Sequence, residues 1–212
     1  MVKGNGEHTG NGAHTDNHHT DRYRQLNAVD DAWLGFCERV GFDVTRTSDA
    51  FVSYDGEHSL NIAPAGDLDP DDSVAALALH ELCHLAVRGD AGFDERDWGL
   101  TYLAEGDLSD EYAALRLQRW LASSAGLQEL LHPTTEHRPY YDALATVDSG
   151  GSTPWPALDD PRFVGQDERA RALATRGRRW LTSQPWWPEL CALLRRTAET
   201  AETAETGSGV HA

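Results

Sequence analysis

The sequence predicts an α+β domain: a small antiparallel sheet near the N-terminal end, packed against a central buried helix with further helices beside it. Three observations carry this. Two short β-rich runs flank the turn dipeptide Asp55-Gly56, the segment between Ser73 and Arg88 is apolar almost all round, and several other stretches space their apolar residues as a helix does.

The elements follow in chain order. From Tyr23 to Val40, residues Leu26, Val29, Trp33, Leu34, Phe36 and Cys37 recur at helical spacing, and Gly41 suits the helix end. Ala50 to Tyr54 and Ser59 to Ala63 then read as strands of a hairpin, with Pro64 ending the second. The central helix is the best marked. Asp69 suits an N-cap, Pro70 the first helical position, and Asp71 and Asp72 the positive end of the dipole, while Gly89 follows as a stop. Its apolar character on every side predicts burial. The stretch from Asp90 to Gly106 is polar and irregular. A helix capped by Asp107 or Ser109 runs to about Ser124 and stops near Gly126. Pro- and Gly-rich loops occupy 133–161, and two amphipathic stretches, Asp167–Leu181 and Trp187–Leu194, close the domain.

Composition sets the boundaries. Residues 1–21 are Gly, Asn, His and Thr with little apolar content and read as a disordered tail, in which His8, His14, His18 and His19 belong to a polar linker rather than a site. Residues 22–196 form one domain, and 197–212, with repeated Ala-Glu-Thr, a low-complexity tail or a frayed helical extension without assigned function. The formal charge is −17, from 35 acidic and 18 basic side chains. Such a field repels phosphates and anionic lipid, which argues against nucleic-acid or membrane partners and favours solubility and basic protein partners. No run of apolar residues is long enough to span a bilayer, and no apolar segment follows Met1-Val2-Lys3 as in a secretory signal. The three cysteines, Cys37, Cys83 and Cys191, are widely spaced and odd in number, which suits a reducing cytoplasm better than a disulfide framework.

His80-Glu81-Leu82-Cys83-His84 carries the chemistry. Residues i and i+4 of a helix share a face, so the two imidazoles converge on one ion, and Glu81 lies close enough to exchange a proton with a metal-bound water. Two histidines leave the shell incomplete, since a catalytic site usually takes three protein ligands. The candidates for the third are Asp97, Glu105, Asp107, Asp110, Glu111, His132 and His137. Glu111 is favoured, because it shares an apolar face with Leu108, Leu115 and Ala122, and Asp97 is second, as ligand or as acceptor for a ligand imidazole N–H. Tyr102 is a candidate donor to a developing oxyanion, as are Tyr140 and Tyr141, whereas Cys83 reads as a small buried hydrophobe. Trp186-Trp187 reads as core or a helix entrance.

The stretch Ala78-Leu79-His80-Glu81-Leu82-Cys83-His84, followed by Gly89, Asp97-Trp98-Gly99, Tyr102 and Gly106, resembles the elongation factor P hydroxylase family. The match covers about 30 residues, with a looser echo from Leu60 to Ala65. The resemblance implies a zincin-like placement of the motif helix and a non-haem metal site, with iron as the expected metal, that hydroxylates a modified lysine on elongation factor P. His80 and His84 would then be ligands and Glu81 the neighbouring carboxylate. The family's Lys-Pro-Gln helix is replaced here by Leu115-Arg116-Leu117-Gln118-Arg119-Trp120, which puts the substrate in question. Three readings therefore stand: a hydroxylase with two histidines and a carboxylate at iron, a peptidase-like zinc hydrolase with Glu81 as general base, and a non-catalytic module with a structural metal.

Overall fold

The fold was obtained as a computed structural model that describes residues 23, 26–100, 107–145 and 155–207. The expected disordered tail over 1–21, Tyr102 and Glu105 lie outside these residues. The domain is α+β. Among the described residues it holds six α-helices and one three-stranded sheet: α1 (Asp30–Val40), β1 (Asp43–Arg46), β2 (Val52–Tyr54), β3 (Ser59–Ile62), α2 (Val74–Arg88), α3 (Ser109–Ser124), α4 (Arg138–Ala145), α5 (Val164–Ser183) and α6 (Trp187–Gly207). None of these helices is long and apolar enough to cross a membrane.

The sheet is mixed rather than antiparallel, which corrects the sequence expectation. Its order is β1-β3-β2. β2 and β3 form the expected antiparallel hairpin, with Val52 opposite Ile62 and Tyr54 opposite Leu60, but β1 joins β3 in parallel, with Val44 opposite Leu60. Asp-Val-Thr-Arg has a single apolar residue and no alternating pattern to read, because β1 lies at the sheet edge, where Asp43, Thr45 and Arg46 are exposed.

The central helix α2 is buried on nearly all sides, as its composition predicts, and packs against α1, α3, α5 and β3. Its cap is Ser73 rather than Asp69. The Ser73 hydroxyl accepts the Ala76 N–H at 3.1 Å, and Asp69-Pro70 instead forms a turn in which Asp72 N–H reaches the Asp69 carbonyl. Gly89 ends the helix at φ 67°, a conformation that favours glycine. α5 crosses α2 closely at Gly177, where an added Cβ would lie 3.0 Å from the Ala86 carbonyl oxygen.

One further element departs from the sequence reading: the Pro-rich stretch around Pro133 contains a helix, α4, whose Tyr140, Tyr141 and Leu144 are buried. α6 continues through the Ala-Glu-Thr repeats to Gly207, as the helical extension that the sequence allowed. Thr197 and Ala201 are buried a turn apart on one face, and the Thr197 hydroxyl accepts the Trp33 indole N–H at 3.0 Å.

Candidate metal centre

Two helices that run in opposite directions build the site: Arg88 and Ala76 of one meet Asp110 and Gln118 of the other. α2 presents His80 and His84 on one face, one turn apart, and α3, packed against it, presents Glu111 from its first turn. The three side chains are the one group among the described residues whose ligand atoms all lie within 4.8 Å of one another. His80 Nε2 and His84 Nε2 are 3.0 Å apart. Glu111 turns one oxygen to each ring, Oε1 at 3.4 Å from His80 Nε2 and Oε2 at 3.2 Å from His84 Nε2. A zinc ion about 2.0–2.1 Å from each donor sets tetrahedral donors roughly 3.3 Å apart, and right-angled octahedral donors roughly 3.0 Å apart. The observed distances, in which the carboxylate meets the two rings with different oxygens, are of the size that either shell sets and do not discriminate zinc from iron. Glu111 Oε1 is also buried without a hydrogen bond, a costly condition that a cation would relieve.

Gln118, two turns along α3 from Glu111, fixes the tautomer of His80. Its amide nitrogen donates to the carbonyls of Leu131 at 3.1 Å and Ala76 at 3.5 Å, which turns its oxygen to His80 Nδ1 at 2.9 Å. An oxygen acceptor requires Nδ1 to carry the proton, so the lone pair of neutral His80 lies on Nε2, facing the group. Sequence reasoning missed Gln118, although its position seven residues after Glu111 places it on the same helix face.

Electrostatics binds the group together. Burial disfavours charge on His80, but the Glu111 carboxylate outweighs it and the imidazole is pushed up to about 9. Burial likewise opposes ionisation of Glu111, yet His80 and His84 hold its carboxyl well below the usual carboxylate range. A pH dependence follows. In metal-free protein the raised His80 value contributes stability that is full below about 6.5 and lost as pH rises through about 9. A divalent ion must displace the same Nε2 proton, so metal affinity should climb by about tenfold per pH unit over this range and level off above it. Competition with a chromophoric chelator across that range measures the slope; a flat profile would remove His80 from the ligand set.

Glu81 is buried, and its Oε2 accepts the Trp98 indole N–H at 2.6 Å. Trp98 stacks on Tyr54 with ring centroids 4.4 Å apart, and lies nearly parallel to His84 at 6.2 Å. Asp97 and Trp98 both adopt left-handed backbone, with φ of 44° and 58°. This bend turns the Asp97 side chain away from the histidines and onto β2, where Oδ1 accepts the Tyr54 N–H at 3.0 Å. Asp97 is therefore outside the donor group, and its neighbour Trp98, which the sequence reading did not single out, is the residue that reaches Glu81.

The other candidates have separate partners. Asp110 accepts from Arg88 at 2.8 Å, and Asp107 accepts from the Ser109 N–H and from Arg169. His132 lies 2.6 Å from the Tyr23 hydroxyl and 2.9 Å from Arg138. Tyr140 joins Arg116 and Asp167, and Tyr141 donates to the Gln128 carbonyl. Cys83 is fully buried, and burial holds its thiol well above the usual value, as for a small hydrophobe. Trp186 and Trp187 are partly buried, against Phe36 and Trp120 respectively.

The group forms part of the wall of a cleft of about 180 Å³ that is lined also by Glu81, Phe51 and Val52 of the β2 edge, Asp72, and residues 132–134, 136 and 137 of the loop between α3 and α4. The chain matches no protein-family model, no curated protein and no solved structure.

Proposed function

We propose that this chain is a metal-dependent enzyme acting on a protein or peptide substrate, with divalent iron or zinc held by His80, His84 and Glu111 and with Glu81 as the carboxylate that handles protons. The observation that carries the proposal is the cluster of His80, His84 and Glu111, whose ligand atoms all lie within 4.8 Å of one another in the wall of a cleft beside a buried glutamate. A bound ion there would supply Lewis acidity or, as iron, a site for oxygen activation.

The chain's own groups divide the remaining work. Trp98 fixes one oxygen of Glu81 and so sets the orientation of the carboxylate in the cleft wall. β2 is the last strand of the sheet. Asp97 occupies the Tyr54 N–H on its outer edge, and by the alternation of an antiparallel pair Val52 presents its N–H and C=O on that same edge. Val52 also lines the cleft, where an extended peptide segment would find backbone partners. A cytoplasmic setting suits the free cysteines Cys37, Cys83 and Cys191.

Two reactions fit this arrangement, each with an observation in its favour. Hydroxylation of a modified lysine, the reaction of the family that the motif resembles, is favoured by the charge of the cleft. Asp72, Glu81, Glu111 and Glu136 line it, with no Lys or Arg among its described lining residues. Peptide hydrolysis is favoured by Glu81, placed beside the donor group as a general base would be.

Metal analysis of protein purified without chelator tests the proposal. One ion per chain is expected, iron with oxygen consumption for the first reaction and zinc without it for the second. Glu81→Gln should retain that ion and lower turnover by about 10²–10⁴-fold, the range for loss of a general acid–base group. Wild-type protein that binds neither metal would overturn the enzyme reading, and Glu81→Gln with full turnover would remove Glu81 from the chemistry.

A further inference from the structure

We infer that His137 is a catalytic hydrogen-bond donor to the oxygen that occupies the open position of the metal centre, an inference that rests on the proposed site. No feature of the H-E-x-x-H helix predicts it, since His137 comes from the loop leading into α4.

Its place is set by two measurements. His137 Nε2 lies 3.8 Å from Glu111 Oε1, beyond a hydrogen bond, and both residues line the cleft. Its nitrogens are also outside the set of donors that lie within 4.8 Å of one another, so the ring is one layer removed from the ligands. A ligand oxygen at the open position would sit about 3 Å from Glu111 Oε1, by the same shell geometry that relates the three donors. Because Oε1 and His137 Nε2 are only 3.8 Å apart, an oxygen about 3 Å from Oε1 can also come within hydrogen-bond reach of the ring.

Burial ranks the side chains in the same order. His84 and Glu111 are 4% and 6% exposed, His80 13% and His137 22%. The ligands form the floor, and His137 stands on the wall above them. Anionic character on a reacting oxygen is stabilised most by donors already in place and partly shielded from water. Glu81 is held from the Trp98 side, and His137, from the α3–α4 side, offers a ring N–H toward such an oxygen. The ligand class is therefore a small oxyanion-bearing group that binds metal, such as a hydroxamate.

The side chain can be removed without removing the loop's hydrogen bonds, which are made by backbone: His137 N–H to the Thr134 carbonyl, and Tyr141 N–H to the His137 carbonyl. The probe is acetohydroxamate, titrated into cobalt-substituted wild type, His137→Ala and His137→Gln and followed by the visible cobalt absorption, with metal content measured in parallel. All three proteins should hold equal cobalt. His137→Ala should weaken acetohydroxamate binding by about ten- to a hundredfold, the loss of a hydrogen bond to a charged group, and His137→Gln, which keeps an N–H donor, should recover most of it. Equal hydroxamate affinity in wild type and His137→Ala would overturn the inference alone. Loss of cobalt in His137→Ala would overturn it in favour of a direct ligand. Failure of wild type to bind cobalt would overturn the metal centre itself, and this inference with it.

Discussion

Glu111→Ala should empty the metal centre while the domain stays folded. The carboxylate is the only ligand in the group that comes from α3, so its loss leaves two imidazoles on α2 and removes the charge that draws a cation between them. Removing outer groups that merely orient a ligand typically costs about 10–100-fold in metal affinity, and losing the ligand itself should cost at least about a hundredfold. In metal-free protein the same substitution removes the partner that holds the His80 imidazole up to about 9, so its titration should fall toward the ordinary histidine value. Chelator competition gives the affinity, histidine proton resonances the titration, and thermal unfolding the state of the fold. Unchanged metal occupancy in a folded Glu111→Ala protein would exclude Glu111 as a ligand.

Asp167→Ala should produce the largest loss of stability, from a site with no part in the chemistry. Asp167 and Arg116 are both almost wholly buried and ion-paired, joining α5 to the helix that carries Glu111. Each is satisfied on every side. Asp167 also accepts from the Leu158 N–H at 3.2 Å and from Arg171 at 3.1 Å, and Arg116 donates to Tyr140 at 2.8 Å and to the Pro156 carbonyl at 3.2 Å. Truncating Asp167 strands a buried guanidinium, at a cost of about 3–5 kcal/mol. For a domain of this size that corresponds to a fall in melting temperature of about 10 °C. Replacing both partners with apolar residues of similar volume, Arg116→Met with Asp167→Leu, should restore much of the loss, because no charge is then left unpaired. A single variant that melts within a degree or two of wild type would show that water reaches Arg116.

The two experiments concern opposite faces of α3. One face turns Glu111 and Gln118 to α2, and another turns Arg116 to α5 and Tyr140 of α4, so the ion pair anchors the helix whose rotation sets the Glu111 carboxylate. A destabilised Asp167 variant should therefore also bind metal less tightly, but by far less than Glu111→Ala.

What the sequence determined by itself was local. Helical period places α2 and glycine its stop at Gly89, the turn dipeptide places the β2–β3 hairpin, and the fixed geometry of one helical turn brings His80 and His84 together. Glu111 was legible as the third member of the group because a carboxylate on an apolar helix face needs a buried partner. The parallel pairing of β1 was not legible, since a short exposed edge strand has no pattern to read. Nor was the anchoring of α6 just ahead of the Ala-Glu-Thr repeats, where Thr197 accepts the Trp33 indole N–H from across the domain. Only the tertiary structure separated Asp97 from Trp98, because two consecutive left-handed residues reverse the directions that sequence spacing suggests. It alone placed Gln118 on His80 and His137 beside Glu111. Those contacts join helices and loops distant in sequence, and helix packing, not the local period of any one segment, sets which side chains meet.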